Sequence, residues 1–171
     1  SERRRTNFNF HASMADNPHR FLNVMLRDTY ITPHRHLKPP KAESFLILHG
    51  TVAFFTFADD GSVSACDILS GVGDAPLLPA NDEPAYSESR GPAGIDITPG
   101  VWHTLVVLSE YACCFEIKPG PYEPSDDKEF AAWAPNEFES TPEERADYLA
   151  RLCEVARAAN TNSNAGTVPA P

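Results

Sequence analysis

An all-β domain with one C-terminal helix is the fold class that the sequence predicts. Sixteen prolines and nine glycines divide the 171 residues into short apolar runs, a pattern typical of sandwiches and barrels of short strands. Hydrophobic residues make up 42% of the chain, which is too many for a disordered protein. A chain of this length forms one domain of ordinary size.

Charge and composition exclude several classes of partner. Asp and Glu number 24 against 14 Lys and Arg, and the net charge of −10 has the wrong sign for binding a phosphate backbone. No stretch approaches the roughly 20 apolar residues that cross a bilayer. The four cysteines lack CxxC spacing and are too sparse for a disulfide scaffold. We therefore expect a soluble cytoplasmic protein with reduced thiols and with neither a nucleic-acid nor a membrane partner.

The chain opens with a predicted strand and a predicted helix. Residues 3–11 alternate polar and aromatic side chains with period two, as a half-buried edge strand does. Asn17 followed by Pro18 resembles the N-terminus of a helix. Apolar residues then recur at helical spacing, which predicts a short helix over Phe21, Leu22, Met25 and Leu26.

The middle of the chain is predicted to consist of strands and turns. Residues 43–57 are apolar on both faces around Gly50, which indicates a hairpin covered on both sides. Residues 70–94 are rich in Gly, Pro and acidic side chains, which indicates a long surface loop. Strand patterns return at residues 94–97 and continue to residue 117.

The C-terminal region carries the clearest helix signal. Thr141, Pro142 and Glu144 form a capping box with proline at the first helical position, and an apolar stripe follows. We expect a helix over residues 139–159, packed on a domain formed by residues 1–138. The small polar tail, residues 160–171, is expected to be flexible.

Four side chains have the types and spacing of a metal site. His34 and His36 alternate in an extended segment, so that both imidazoles point to one face. Glu43 follows at the start of an apolar strand, and His103 comes after a Pro-Gly turn. Three imidazoles and one carboxylate bind a divalent first-row metal and leave one or two coordination positions open. The alternative is that these histidines are hydrogen-bonded core residues.

The same residues resemble the two cupin motifs, His-x-His with a later Glu and Gly, followed far along the chain by Gly-x-x-His. The wider similarity, over about residues 3–138, is to the WbuC-type cupin metalloproteins. It consists of Arg5-x-Asn7-x-Asn9-x-His11, Arg20-Phe21-Leu22-Asn23, Pro33-His34-Arg35-His36, Lys41-x-Glu43, Pro99-Gly100-Val101-Trp102-His103, Gly120-Pro121-Tyr122 and Asp127-Lys128-Glu129-Phe130. Six residues separate His36 from Glu43, against three or four in the general cupin pattern, and this longer spacing agrees with the WbuC-like subgroup.

The resemblance implies a single-domain cupin barrel, a double-stranded β-helix with one divalent metal inside it. It places His34, His36, Glu43 and His103 on the positions of the usual ligands. Iron, manganese, nickel, copper and zinc all suit this ligand set, because geometry and supply decide among them more than ligand identity does.

Basic and proton-transfer residues complete the predicted site. Arg35, Lys38 and Lys41 flank the first two ligands, and we expect them to attract a small anionic molecule. The alternative is that all three are solvated or paired with surface acids. His49 shares strand parity with Glu43 and is a candidate acid or base, as is Tyr122. Each of these two could equally be a packing residue.

The function predicted from these features is that of a metal-dependent cupin acting on an anionic or carbohydrate-derived small molecule. Isomerase, lyase and oxygenase chemistry all remain open, and the WbuC-type resemblance implies a link to surface-polysaccharide metabolism. The alternative is a binding or sensing protein that uses its metal only to orient a sugar or carboxylate. A two-sided apolar hairpin and an asparagine-rich edge strand also favour a homodimer.

Overall fold

The computed structural model describes residues 3–72, 91–123 and 128–165 as ten strands and one helix. The elements are β1 (Arg5–Asn9), β2 (His19–Leu26), β3 (His34–Arg35), β4 (Glu43–His49), β5 (Thr51–Phe57), β6 (Val63–Ser70), β7 (Gly94–Ile97), β8 (Trp102–Val107), β9 (Tyr111–Lys118), β10 (Glu129–Phe130) and α1 (Pro142–Ala165). No helix among the described residues is both long and apolar enough to cross a membrane.

The strands form two antiparallel sheets that pack face to face. The first sheet has the order β1-β2-β9-β4-β7 and the second has the order β10-β3-β8-β5-β6. Met25 and Ile47 of the first sheet meet Val52 and Phe54 of the second in a buried core. The helix covers the other face of the second sheet, where Leu152 joins a second apolar cluster. The predicted all-β class with a C-terminal helix is confirmed.

The predicted short helix near residue 20 is wrong, because this segment is strand β2. Its side chains alternate, with Phe21 and Met25 buried and Leu26 exposed. The strand pairs with β1 on one side and along its whole length with β9 on the other. Hydrogen bonding to a strand on each side stabilises the extended conformation more than the helical spacing of the apolar residues stabilises a helix. Tertiary context commonly overrides local preference in this way.

The predicted hairpin over residues 43–57 is also wrong, since its two strands belong to different sheets. β4 pairs with β7 and β9, whereas β5 pairs with β6 and β8. The chain crosses from one sheet to the other at Gly50, whose φ is +82°. A Cβ there would overlap the carbonyl oxygen of Tyr111, so both the conformation and the close approach require glycine. β5 is apolar on both faces because it lies between the core and the helix layer.

The helix begins at Pro142, directly after the predicted capping residue Thr141, and extends further along the chain than the expected range 139–159. The Thr141 backbone N–H donates to Oε2 of Glu144 at 2.8 Å, and the Glu144 N–H donates to Oγ1 of Thr141 at 3.2 Å, which completes the capping box. The helix then continues to Ala165, beyond the predicted end at residue 159. Most of the predicted loop 70–94 and the end of the predicted tail lie outside the described residues, at 73–90 and 166–171.

Candidate metal centre

Strand geometry brings the four predicted ligands to one place between the sheets. His34 in β3 lies directly opposite His103 in β8, because the two strands pair at this position. His36 follows two residues after His34 and shares its face. Glu43 is the first residue of β4 and reaches the same place from the facing sheet.

The donor atoms of these side chains lie within 4.8 Å of one another, and all four residues are buried. Nε2 of His36 is 3.1 Å from Oε1 of Glu43, and Nε2 of His103 is 3.3 Å from Oε2 of the same carboxylate. Three imidazole nitrogens and a carboxylate oxygen therefore lie close enough together to share one ion.

Backbone carbonyls orient two of the three imidazoles. Nδ1 of His34 is 2.9 Å from the carbonyl oxygen of Thr32, and Nδ1 of His103 is 2.8 Å from that of Val101. A carbonyl only accepts, so each Nδ1 carries the proton and each Nε2 presents a lone pair toward the other donors. Hydrogen bonding of the outer ring nitrogen is the usual support for a metal-ligating histidine.

The residues fit a divalent metal ion. Nε2 of His103 and Oε1 of Glu43 are buried, and neither atom makes a hydrogen bond to a described residue. Buried polar atoms are normally hydrogen-bonded, so two unsatisfied acceptors at one point favour an ion as their shared partner. A set of imidazoles and one carboxylate suits a divalent first-row metal.

The protonation states also suit a cation. Burial holds the pKa of His34 well below its usual range, which keeps this imidazole neutral. Burial alone would raise the pKa of Glu43, but its polar neighbours, among them the ammonium of Lys118 at 3.5 Å, outweigh burial and hold that pKa well below its usual range. A neutral imidazole and an ionised carboxylate are the forms that bind metals.

Three buried polar side chains on the inner face of the first sheet were not predicted. Asn23, Glu116 and Lys118 line a cavity of about 100 Å³ together with His34 and Glu43. Nζ of Lys118 is 3.5 Å from Oε1 of Glu43 and 3.9 Å from Oε1 of Glu116. We call Asn23, Glu116 and Lys118 the inner polar wall.

The acidity of Glu116 is strongly perturbed. Burial raises its pKa to about 7, the negative charge of Glu43 adds to the effect, and Lys118 opposes it. A sequence signal for the wall does exist. Glu116 and Lys118 occupy alternate positions that continue the inward face of Ala112 and Cys114, so two charged residues interrupt an otherwise apolar pattern.

The predicted basic residues lie away from this cavity. Nε and Nη2 of Arg35 donate to the two carboxylate oxygens of Glu129 at 2.9 and 2.8 Å, and its guanidinium stacks over the Trp102 ring. Lys38 is exposed, and Nζ of the buried Lys41 donates to a backbone carbonyl at 3.2 Å. None of these three is among the described residues that line the cavity.

The two predicted acid-base residues occupy different surroundings. His49 stacks on Tyr111 with ring centroids 4.5 Å apart, beyond a register shift in β4 that follows Ile47. It does not line the cavity of the metal ligands. Tyr122 lines a second cavity beside the first, where 38% of its side chain is exposed.

The chain matches one family model in part and is similar in structure to proteins of known structure. A family described as "Domain of unknown function (DUF6016)" matches residues 1–69. No curated protein matches the chain. The capsular polysaccharide assembling protein CapF from Staphylococcus aureus is similar in structure, with a TM-score of 0.54 and 18% identity over 74% of this chain and 32% of CapF. Protein SO0799 from Shewanella oneidensis has a TM-score of 0.50 and 8% identity over 72% of each chain.

Two facing antiparallel sheets with a buried core, together with structural neighbours that are cupin-fold proteins, decide the fold. The chain has the cupin fold. The chain spans about a third of the length of CapF. Its candidate ligands come from both sheets: His34 and His103 lie in the second sheet, His36 directly follows β3 of that sheet, and Glu43 lies in the first.

Proposed function

We propose that this cupin holds one divalent metal ion through His34, His36, Glu43 and His103 and acts on a small anionic or carbohydrate-derived molecule. The observation that carries the proposal is the pair of unsatisfied buried atoms, Nε2 of His103 and Oε1 of Glu43, at the point where all four side chains meet. A buried acceptor without a hydrogen bond costs about 1–3 kcal/mol, and a metal ion would be a shared partner for both atoms.

The chemistry proposed for the site is divided between the ion and the inner polar wall. A bound divalent ion supplies Lewis acidity toward a carbonyl or hydroxyl oxygen. Glu116 lies in the cavity with a pKa near neutrality, which is the range suited to moving a proton at pH 7. Lys118 places a positive charge beside it and favours an anionic group. Isomerisation and lyase reactions both use this combination, and oxygenation remains a further candidate.

A link to surface-polysaccharide metabolism is part of the proposal. The WbuC-type motifs over residues 3–138 support it, as does the structural likeness to CapF, which is named as a capsular polysaccharide assembling protein. Both point to sugar derivatives as the class of substrate to test first.

Elemental analysis of protein purified without a nickel column tests the metal site. We expect about one divalent ion for each chain and its loss in His103→Ala. The matched control is His49→Ala, because this histidine is partly buried against an aromatic ring outside the cavity. Equal metal content in wild type and His103→Ala would contradict the proposal.

Turnover with and without oxygen then separates oxygenase from isomerase or lyase chemistry, and tight binding without turnover identifies a sensor.

The proposed partner chain is a second copy of this protein. Phe8 and Phe10 are 64% and 52% exposed on the outer face of the first sheet. Other partly exposed apolar residues of that face are Leu26, Leu46, Tyr111 and Ile117. Aromatic side chains of this kind bury roughly 150–250 Å² each, so the exposed parts of Phe8, Phe10 and Tyr111 alone present roughly 300 Å². A standard interface buries about 800 Å² on each partner, so these three side chains would supply over a third of it.

Light scattering tests the proposed dimer. We expect the mass of two chains for wild type and of one chain for Phe10→Lys. Val63→Lys is the control, because Val63 is 40% exposed on the second sheet. A wild-type mass of one chain at 100 μM would refute the proposal.

A further inference from the structure

Arginines are concentrated in a groove of about 850 Å³ that helix α1 forms with the start of β1 and the end of β2. Six of the 14 lysines and arginines of the chain line it, although the chain has a net charge of −10. They are Arg3, Arg4, Arg5, Arg27, Arg145 and Arg157. The described residues of the groove include only two carboxylates, Asp28 and Glu137, so the guanidinium groups outnumber the carboxylates by four. We call this cavity the arginine groove.

The two carboxylates neutralise only part of the charge of the arginine groove. Oε2 of Glu137 lies 3.5 Å from Nε of Arg3 and 2.6 Å from Nη2 of Arg5, so one carboxylate serves two guanidinium groups. Oδ2 of Asp28 lies 3.4 Å from Nη2 of Arg4. Both acids are therefore already engaged, and the groove keeps its positive excess.

The other three arginines of the groove form no ion pair with a carboxylate of the described residues, and they are Arg27, Arg145 and Arg157. Backbone carbonyls orient two of them. Nε of Arg27 donates to the carbonyl of Ser109 at 3.0 Å, and Nη1 of Arg145 donates to the carbonyls of Glu137 and Ser140 at 2.8 and 2.9 Å. A guanidinium has five N–H donors, so each keeps donors for a ligand, and side chains that are already oriented lose less freedom when a ligand binds.

The backbone at Arg4 places three consecutive arginines on one wall of the groove. Its φ is +54°, in the left-handed region that non-glycine residues rarely adopt. The Arg4 carbonyl oxygen accepts hydrogen bonds from the Leu26 backbone N–H at 3.0 Å and from the Thr29 hydroxyl at 2.7 Å, which hold this conformation. Backbone conformations of this kind cluster at functional sites, so the feature agrees with a binding role for this wall.

One side of helix α1 supplies another wall of the groove. Its small and apolar members are Ala146, Leu149, Ala150 and Cys153, which share a side by helical spacing. Arg145 and Arg157 lie at the two ends of this stripe. They are twelve residues apart, roughly 18 Å along the helix axis, so a single phosphate cannot contact both, whereas a longer anion can.

We propose that the arginine groove binds a short chain of linked phosphates, with Arg27, Arg145 and Arg157 as its main contacts. A planar guanidinium donates paired hydrogen bonds to phosphate oxygens. Each phosphate in a chain contributes about one negative charge, so three or four of them match the positive excess of the groove. A volume of about 850 Å³ is within the range of small-molecule sites.

The charge of the whole chain favours a short ligand over a nucleic acid. Because the chain has a net charge of −10 and the groove has a positive excess, the rest of the chain carries a large excess of negative charge. That charge repels a polyanion that extends beyond the groove. The inference is independent of the proposed metal centre, since none of the three main contacts lines the cavity of the metal ligands.

Titration calorimetry at 50 mM NaCl tests the proposal with tripolyphosphate, orthophosphate and ATP. We expect tripolyphosphate to bind at least tenfold more tightly than orthophosphate, because it reaches more of the arginines. ATP carries the same triphosphate chain, so tighter binding of ATP than of tripolyphosphate would identify a nucleotide as the ligand, and weaker binding would identify an inorganic chain. Equal affinities for tripolyphosphate and orthophosphate, or no measurable binding of either chain, would overturn the proposal. So would a DNA duplex of twenty base pairs that binds more tightly than tripolyphosphate at 150 mM NaCl.

Arg27→Gln and Arg157→Gln test the contacts, since both side chains are exposed and their replacement leaves the core intact. Each should weaken tripolyphosphate binding at least threefold, and the double variant at least tenfold. Arg151→Gln is the matched control, because Arg151 is an exposed arginine of the same helix that stacks over Tyr148 and does not line the groove. Wild-type affinity in the double variant would refute the assigned contacts.

His103→Ala distinguishes this inference from the proposed function. Tripolyphosphate also binds divalent ions, so loss of its binding in this variant would show that it contacts the metal centre instead and would overturn the inference. We expect wild-type affinity in His103→Ala. Wild-type protein that binds tripolyphosphate but retains no metal would refute the proposed function alone, and metal-loaded protein that does not bind tripolyphosphate would refute this inference alone.

Discussion

Removal of the Glu43 carboxylate tests the metal centre through stability. Glu43→Gln keeps the shape of the side chain but removes its negative charge. The carboxylate oxygens lie close to three nitrogen atoms, Nε2 of His36 at 3.1 Å, Nε2 of His103 at 3.3 Å and Nζ of Lys118 at 3.5 Å. A metal at a thousandfold excess over its Kd stabilises the folded wild type by about 4 kcal/mol. For a chain of this length, 1 kcal/mol shifts Tm by roughly 2–4 °C. We therefore expect the metal to raise the Tm of wild type by roughly 8–16 °C.

The variant should keep less than half of that increase when Tm is measured with zinc and with chelator by differential scanning calorimetry. Glu116→Gln is the matched control, since it also removes a buried carboxylate from the cavity wall but none of the four donors. It should retain the full zinc-dependent shift. If Glu43→Gln gained as much from zinc as wild type does, the assignment of Glu43 as a ligand would be refuted.

Three further predictions concern the fold that supports the site. Glu137→Ala removes the carboxylate that lies 2.6 Å from the largely buried guanidinium of Arg5, and urea unfolding should show a loss of about 3–5 kcal/mol; a loss below 1 kcal/mol would contradict this. Gly50→Ala places a side chain at φ +82° and should cost more than about 2 kcal/mol in the same assay, whereas near-neutral stability would argue against the close sheet crossing. Thr141→Ala should cost about 1 kcal/mol at pH 7. Hydrogen bonds from Thr141 lower the pKa of Glu144, so the stabilisation from this carboxylate is present at neutral pH and lost as pH falls through the lowered pKa. In urea unfolding, the difference in free energy of unfolding between wild type and Thr141→Ala should therefore be smaller at pH 3 than at pH 7.

The sequence alone predicted the fold class and the four residues that meet, because these depend on local rules. Alternation in an extended segment is enough to place His34 and His36 on one face. The cupin resemblance then connected them with Glu43 and His103. The structure supplied the distance between the donor atoms and the orientation of the rings, which depend on sheet packing and on backbone carbonyls such as that of Val101.

Where sequence reasoning failed, the missing information was which sheet a strand joins. An apolar run on both sides of Gly50 fits a covered hairpin and a crossing between sheets equally well, and only pairing distinguishes them. The same limitation applies to the inner polar wall. Asn23 and Glu116 are far apart in sequence, and their shared position opposite the histidines follows from the pairing of β2 with β9.

Because the candidate donors are divided between the two sheets, the affinity of the proposed site for a metal would depend on how closely the two layers approach each other. The ring of Phe54 lies within the core and parallel to His103 to within 20°, with 5.9 Å between ring centroids. Hydrocarbon packing at Phe54 would therefore influence the affinity of the proposed site without any change in the four candidate ligands.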